Sequence, residues 1–189
     1  MNLNAPRRHS VWLCPEAEIA ACLSTEIAKF ADLSGTDVFE PHVTLLGDLT
    51  CAPQTTIDAC SARLGGIEAA RAEIAGLTQT NAFYMSLFLD VHLVPNLSEH
   101  RLQILRDVGL IANSGFRPHL SLAYGLSPQA LTQSDKRALQ ERFSGLEFDL
   151  THVTIVASAR DVPISDWHVL QKLPLSQSKS MNECELAPS

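Results

Sequence analysis

A seven-residue stretch occurs twice in the chain. Phe39-Glu40-Pro41-His42-Val43-Thr44-Leu45 returns as Phe116-Arg117-Pro118-His119-Leu120-Ser121-Leu122, 77 positions on (119 − 42 = 77). Phe, Pro, His and the last Leu are identical, Val/Leu and Thr/Ser are conservative, and only Glu40/Arg117 changes character. Proline biases the residue before it toward extended backbone, and the residues after it read as strand. Side chains alternate across a strand. His42 and Thr44 therefore share one face, as do His119 and Ser121. Val43, Leu45, Leu120 and Leu122 take the opposite, apolar face. A strand that buries one face and shows imidazole plus hydroxyl on the other is half of a site for acid–base chemistry. The repeat supplies two such halves.

The surrounding chain reads as two similar sets of elements. Ser10 to Cys14 is a first strand. Pro15 then opens a helix whose apolar face is Ile19, Leu23, Ile27 and Phe30, stopped by Ser34-Gly35. Gly47-Asp48 breaks the first motif strand. Pro53 starts a second helix carrying Ile57, Cys60 and Leu64, closed by Gly65-Gly66. A strand is expected over Ala72 to Thr78 and another over Phe83 to Val94. Asn96 with Glu99 resembles a capping box for a helix with Ile104, Leu105, Val108 and Ile111 on its face, ended by Asn113-Ser114-Gly115. After the second motif, Ser127-Pro128 reads as a helix start. Leu146 to Ala157 and Asp166 to Leu173 close the chain as strands. Strands and helices do not alternate cleanly enough for a doubly wound parallel sheet. The expectation is α+β: two pseudo-symmetric lobes of largely antiparallel sheet facing a central cleft, helices outside. Residues 1–175 form a single bilobal domain in this reading, and 176–189 a polar, loose tail.

Composition narrows the function. A 189-residue chain that is 46% hydrophobic can bury a real core. Its formal net charge of −7 disfavours non-specific binding to a long nucleic acid, which calls for a basic face. A small anionic substrate still fits, because one pocket need not share the sign of the surface. The five cysteines (Cys14, Cys22, Cys51, Cys60, Cys184) are odd in number and widely spaced, with no Cys-x-x-Cys and no zinc framework. Reduced thiols in a cytoplasmic protein are the expectation. The apolar run Val11 to Cys14 is too short for a signal sequence or a membrane span.

The paired motifs resemble the 2H phosphoesterases, whose signature is two His-x-Thr/Ser-x motifs, one in each of two pseudo-symmetric lobes. His42-Val43-Thr44-Leu45 and His119-Leu120-Ser121-Leu122 fit both copies. Within that family, Ser10-Val11-Trp12, Pro-His-Val-Thr, Pro-His-Leu-Ser-Leu and the following Tyr124 look most like the cyclic phosphodiesterases. Those enzymes open 2′,3′-cyclic nucleotides and ADP-ribose 1″,2″-cyclic phosphate. The resemblance spans roughly residues 9 to 174. It implies a metal-independent hydrolase without cofactor. His42 and His119 would be its acid and base, and Thr44 and Ser121 its phosphate-binding hydroxyls. It also implies a substrate contact from Tyr124, although regular alternation sets that residue off the Ser121 face unless the strand bends toward Gly125. Trp12 and Tyr84 are further candidates for a wall against base or ribose. The residues agree with the chemistry. Histidine, with an unperturbed pKa of about 6.5, serves as acid or base near neutrality, and hydroxyls can donate to non-bridging oxygens as charge builds. The expected partner is a small cyclic-phosphate nucleotide, with no membrane and no second subunit. The alternatives are action on RNA 2′,3′-cyclic ends (or 2′-5′ ligase-like action), and a non-catalytic nucleotide-binding module on the same fold.

His152-Val153-Thr154-Ile155 imitates the motif without the preceding Phe-x-Pro. Alternation along its strand puts His152 with Phe148 and Leu150, as an incidental histidine. His9, His92, His100 and His168 stand alone and read as surface or satisfied. Arg117 reads as a surface cation.

Overall fold

A computed structural model describes residues 8–112, 115–159 and 161–176. Among these described residues, seven strands and four α-helices follow one another as β1 (His9–Pro15), α1 (Ala17–Ser34), β2 (Val43–Leu49), α2 (Pro53–Leu64), β3 (Ala70–Gln79), β4 (Leu87–Leu93), α3 (Pro95–Asp107), β5 (His119–Ala123), α4 (Gln133–Phe143), β6 (Glu147–Ala157) and β7 (His168–Pro174). The strands form one antiparallel sheet in the order β1-β2-β5-β4-β3-β6-β7, and β1 also pairs with β6. The order therefore closes on itself, with β7 an extra strand on β6. This is the expected α+β architecture.

Closure divides the strands into two triplets, β6-β1-β2 and β3-β4-β5. Each contains a strand, a helix and a motif strand in succession: β1-α1-β2 in one, β4-α3-β5 in the other. The triplets meet where β3 joins β6 and where β2 joins β5 at the pair Val43↔Leu120. The two copies of the repeat thus lie side by side. Antiparallel register around that pair sets Thr44 opposite His119 and His42 opposite Ser121, so each histidine faces the other copy's hydroxyl.

Alternation separates the two faces of the sheet. Val11, Leu13, Val43, Leu45, Leu87, Leu89, Leu120 and Leu122 join the main core, together with Leu23 and Phe30 of α1, Cys60 and Leu64 of α2, and Ile104 of α3. The opposite face carries Trp12, Cys14, His42, Phe88 and Ser121. Burial of the apolar face, at about 25 cal/mol per Å² of apolar surface, makes slippage by one residue prohibitive, because it would turn the histidines into the core.

Several local expectations are corrected by the geometry. Gly47-Asp48 does not end β2. The register with β1 shifts between His9↔Leu49 and Val11↔Leu46, and Asp48 takes φ 55°, so the pair forms a bulge inside the strand. Phe83–Met85 is a short 3₁₀ turn ahead of β4 rather than part of it. No capping box opens α3: Pro95 occupies its first turn and Val94 precedes it. Ile111 lies beyond the end of α3 and is 95% exposed. Ser127-Pro128 forms a turn, and α4 starts later, where Thr132 and Asp135 make a reciprocal capping box. Ser176, expected in the tail, bridges to Glu68. The rest of the tail, the Asn113-Ser114 stop signal and Cys184 lie outside the described residues. Cys14, Cys22, Cys51 and Cys60 are free thiols. No helix among the described residues is long and apolar enough to cross a membrane.

Candidate active site

Each motif histidine is tied by one nitrogen to its own loop. His42 Nδ1 lies 2.6 Å from the Glu40 carbonyl, and His119 Nδ1 lies 2.8 Å from the Arg117 carbonyl. A carbonyl only accepts, so Nδ1 carries the proton in both rings and Nε2 is left for a ligand. The proline between carbonyl and histidine fixes the turn that brings them together. The duplicated Phe-x-Pro-His is thus a device for presenting Nε2, a purpose not evident from strand alternation alone.

Both rings line one cavity of about 170 Å³, with Thr44, Tyr84, Tyr124 and Trp12 around them. Six of the seven residues singled out in the sequence therefore converge. The seventh, Ser121, lies just behind the wall at 5% exposure. Its hydroxyl is 3.4 Å from the Tyr84 carbonyl and also hydrogen-bonds the Tyr124 side chain. Thr44, half-buried at the cavity, and Ser121, beneath it, are therefore not equivalent despite the repeat.

Tyr124 reaches the cavity because β5 is irregular. Leu87 pairs with Ala123 and Phe88 with Ser121, so Leu122 is an extra residue that resets the alternation. Leu122 and Ala123 both enter the core, and Tyr124 swings to the Ser121 side. Gly125 follows with φ 64°, and a Cβ there would lie 2.7 Å from the Phe83 ring. Tyr124 then stacks on Phe39 at 4.1 Å and packs with Ile27 of α1. Burial raises its phenol well above the ordinary tyrosine value, against the lowering effect of Ser121, so it is a neutral donor.

His42 is the more enclosed histidine. Trp12 stacks flat on it at 3.7 Å and 9°, and Phe39 meets it edge-on at 6.3 Å. Burial pushes its pKa down to about 4, against the raising effect of the Glu40 carbonyl, and the charge of His119 lowers it further. Between about pH 6.5 and 4 the unfolded chain binds this proton and the folded one does not. The contribution to stability is therefore complete above about 6.5 and is lost as pH falls to about 4, about 3 kcal/mol in all. Urea unfolding at about pH 7 and about pH 4.5 should show His42→Asn losing less stability on acidification than the parent, by about 2–3 kcal/mol. Equal losses would contradict the buried, neutral ring.

Trp167 and Ser158 also line the cavity, and the sequence did not point to them. Trp167 closes the aromatic side, edge-on to Trp12 at 5.8 Å, with its indole N–H on the Val162 carbonyl. Ser158, just past β6, donates to Ser10 at 2.9 Å. The available signals were faint: one of only two tryptophans, and a serine ending a β-branched run.

The other histidines stay apart. His9 is buried on Thr56 at 2.8 Å. His152 bonds Thr151 at 3.0 Å and does not line the cavity. It does not share a face with Phe148 and Leu150, as alternation predicts. Val153 and Ile155 join those two in the core, so the phase of β6 slips at residues 151–152, where pairing changes from β3 to β7. Arg117 is exposed but engaged by the Asp90 carboxylate. Among the described residues no three His, Cys, Asp or Glu side chains are placed to hold a metal ion.

Known proteins share this fold. Residues 8–175 match the family described as cyclic phosphodiesterase-like protein. The crystal structure of TT0787 of Thermus thermophilus superimposes with a TM-score of 0.60 at 20% identity, covering 90% of this chain and 99% of that one. E. coli LigT complexed with phosphate gives a TM-score of 0.58 at 18% identity, covering 92% and 100%. LigT complexed with 3′-AMP gives 0.55 at 18%, covering 91% and 99%. A comparison with curated protein sequences gives no match.

Proposed function

The chain belongs to the cyclic phosphodiesterase-like family of 2H phosphoesterases, and from that premise we propose that it opens a cyclic phosphodiester by two-histidine acid–base catalysis. The substrate class is a 2′,3′-cyclic nucleotide or ADP-ribose 1″,2″-cyclic phosphate, and the product a phosphomonoester. The observation that carries the reading is the pair of imidazoles in one small cavity, each tied at Nδ1 and open at Nε2. One ring takes a proton from water as its oxygen attacks phosphorus. The other ring protonates the ester oxygen that leaves from the far side, and the roles exchange in the cyclising direction. Neither Lys nor Arg lines the cavity among the described residues. The phosphate charge would then be met by an imidazolium and by neutral donors, Thr44 at the cavity wall, with Ser121 acting through Tyr124. A phosphodiester anion between the rings favours protonation, offsetting the burial that strips His42 of its proton. Trp12, Tyr84 and Trp167 supply faces for a base or ribose. The chemistry requires no metal or cofactor, and a cytoplasmic monomer completes the reading.

A second reading, action on an RNA 2′,3′-cyclic end, is favoured by one feature. A groove of about 600 Å³ shares Thr44 and His119 with the cavity and carries Arg101 and Arg117 beyond them. LigT, with the same fold, has been solved with 3′-AMP and with phosphate. The discriminating experiment is turnover of a 2′,3′-cyclic mononucleotide against an RNA 3′ end, both with EDTA. The mononucleotide should be turned over at least as efficiently in kcat/KM. A clear preference for RNA selects the second reading, and binding without turnover of either selects a non-catalytic module.

A further inference from the structure

The second motif position, Glu40 in one copy and Arg117 in the other, supplies the carbonyl that holds each histidine. Whatever fixes that residue fixes the ring. In the first copy the ring itself is held, by burial and by Trp12 at 3.7 Å, and the Glu40 side chain is exposed. His119 is only half-buried, and its aromatic neighbour Phe88 meets it edge-on at 5.1 Å.

The Arg117 side chain compensates. Its guanidinium forks onto Asp90, Nε to Oδ1 at 2.6 Å and Nη2 to Oδ2 at 2.9 Å. Thr78 Oγ1 accepts from the same Nη2 at 3.2 Å and donates to Asp90 Oδ2 at 2.6 Å. The guanidinium also lies 4.9 Å over the Phe88 ring. Three strands, β3, β4 and β5, are thereby tied to one residue, and that residue's carbonyl orients His119.

We propose that Asp90 and Arg117 form a clamp that positions His119, and that Asp90 places a fixed negative charge beside that ring alone. Asp90 is the cross-strand partner of His119. The matching place opposite His42 is Cys14, since Trp12 pairs with Thr44 and Leu13 with Val43. One histidine therefore faces a carboxylate and the other a thiol. Burial raises the carboxyl's proton affinity, but the Arg117 and Thr78 hydrogen bonds and the charges of Arg117 and His119 outweigh it and hold Asp90 below the usual carboxylate range. The groups around Asp90 are Arg117, Thr78 and His119, with His92 in the same outer groove, and His42 is coupled to His119 across the cleft. Asp90 thus stays ionised at neutral pH.

This assignment rests on the two-histidine reading, so the test has one arm that needs turnover and one that does not. In the first arm, Asp90→Asn should lower kcat by about 10–100-fold, the range for groups that orient a ligating histidine, with KM changed less than about twofold. The pH profile of kcat/KM should move toward acid pH, because removing a carboxylate lowers the proton affinity of the pair. Asp90→Glu should recover part of kcat, and Arg117→Lys more than Arg117→Gln. In the second arm, ¹⁵N shifts of the ligand-free protein read the tautomer of neutral His119. The parent should hold the proton on Nδ1, and Asp90→Asn and Arg117→Gln should show a mixture. Variants that lower the unfolding midpoint but leave kcat, pH profile and tautomer unchanged overturn the proposal. A parent without turnover defeats the functional reading instead, and the tautomer still decides the clamp.

Discussion

His42→Ala and His119→Ala should each lower turnover of a 2′,3′-cyclic mononucleotide by about 10²–10⁴-fold, the usual contribution of one general acid or base. The two losses should not add. Once one ring is gone the other has no complementary proton transfer to perform, so the double variant should be close to the worse single one. The fold must be checked for His42→Ala, since it opens a space under Trp12. His119→Ala, at a half-buried position, is the cleaner test. His152→Ala is the control, because it removes an imidazole from a His-x-Thr sequence that lacks the preceding Phe-x-Pro and does not line the cavity, and turnover should stay within about threefold. Loss of turnover in a folded His152→Ala with His42→Ala active would reverse the assignment.

Thr44→Val should cost about 10²–10³ in kcat, the scale for removing one donor to developing charge. Valine keeps the branched shape and deletes only the hydroxyl, and Thr44→Ser should restore most of the rate. Ser121 calls for a different result, because its hydroxyl is engaged by the Tyr84 carbonyl and the Tyr124 phenol. If Ser121 acts through that phenol, Ser121→Ala and Tyr124→Phe should each reduce kcat, and the pair should do no worse than the poorer single variant. Independent, additive losses would show that Ser121 reaches the phosphate by itself. A Thr44→Val enzyme with unchanged kcat and raised KM would place that hydroxyl in substrate binding rather than in transition-state stabilisation.

The sheet faces and the motif strands were legible because periodicity and proline act over a few residues. His42, Thr44, His119 and Ser121 followed from alternation, α1 from its apolar spacing, and α2 from apolar spacing and its proline start; Pro15, expected to open α1, is instead the last residue of β1, and the helix begins at Ala17 after Glu16. Irregular pairing was not legible. The extra residue at Leu122 carries Tyr124 into the cavity, and nothing in Ser-Leu-Ala-Tyr announces a bulge. The slip at residues 151–152 of β6 arises because that strand changes partner from β3 to β7, a tertiary event with no local signature. Asp90 is hidden for another reason: in Leu-Phe-Leu-Asp-Val a carboxylate on a strand reads as a solvent-facing residue. Only the register that sets it opposite His119, and the arginine at the changed motif position, show otherwise. Trp167 reaches the site from a turn before β7, far along the chain from both motifs.

The most direct measurement is a crystal structure of the protein with inorganic phosphate or a nucleoside 2′-monophosphate. One phosphorus should sit in the cavity, with oxygens within about 2.6–3.2 Å of Nε2 of both His42 and His119, Thr44 donating to a third oxygen, and both Nδ1 atoms still on the Glu40 and Arg117 carbonyls. Phosphate held elsewhere at saturating concentration, or by one ring while the other turns away, would contradict it.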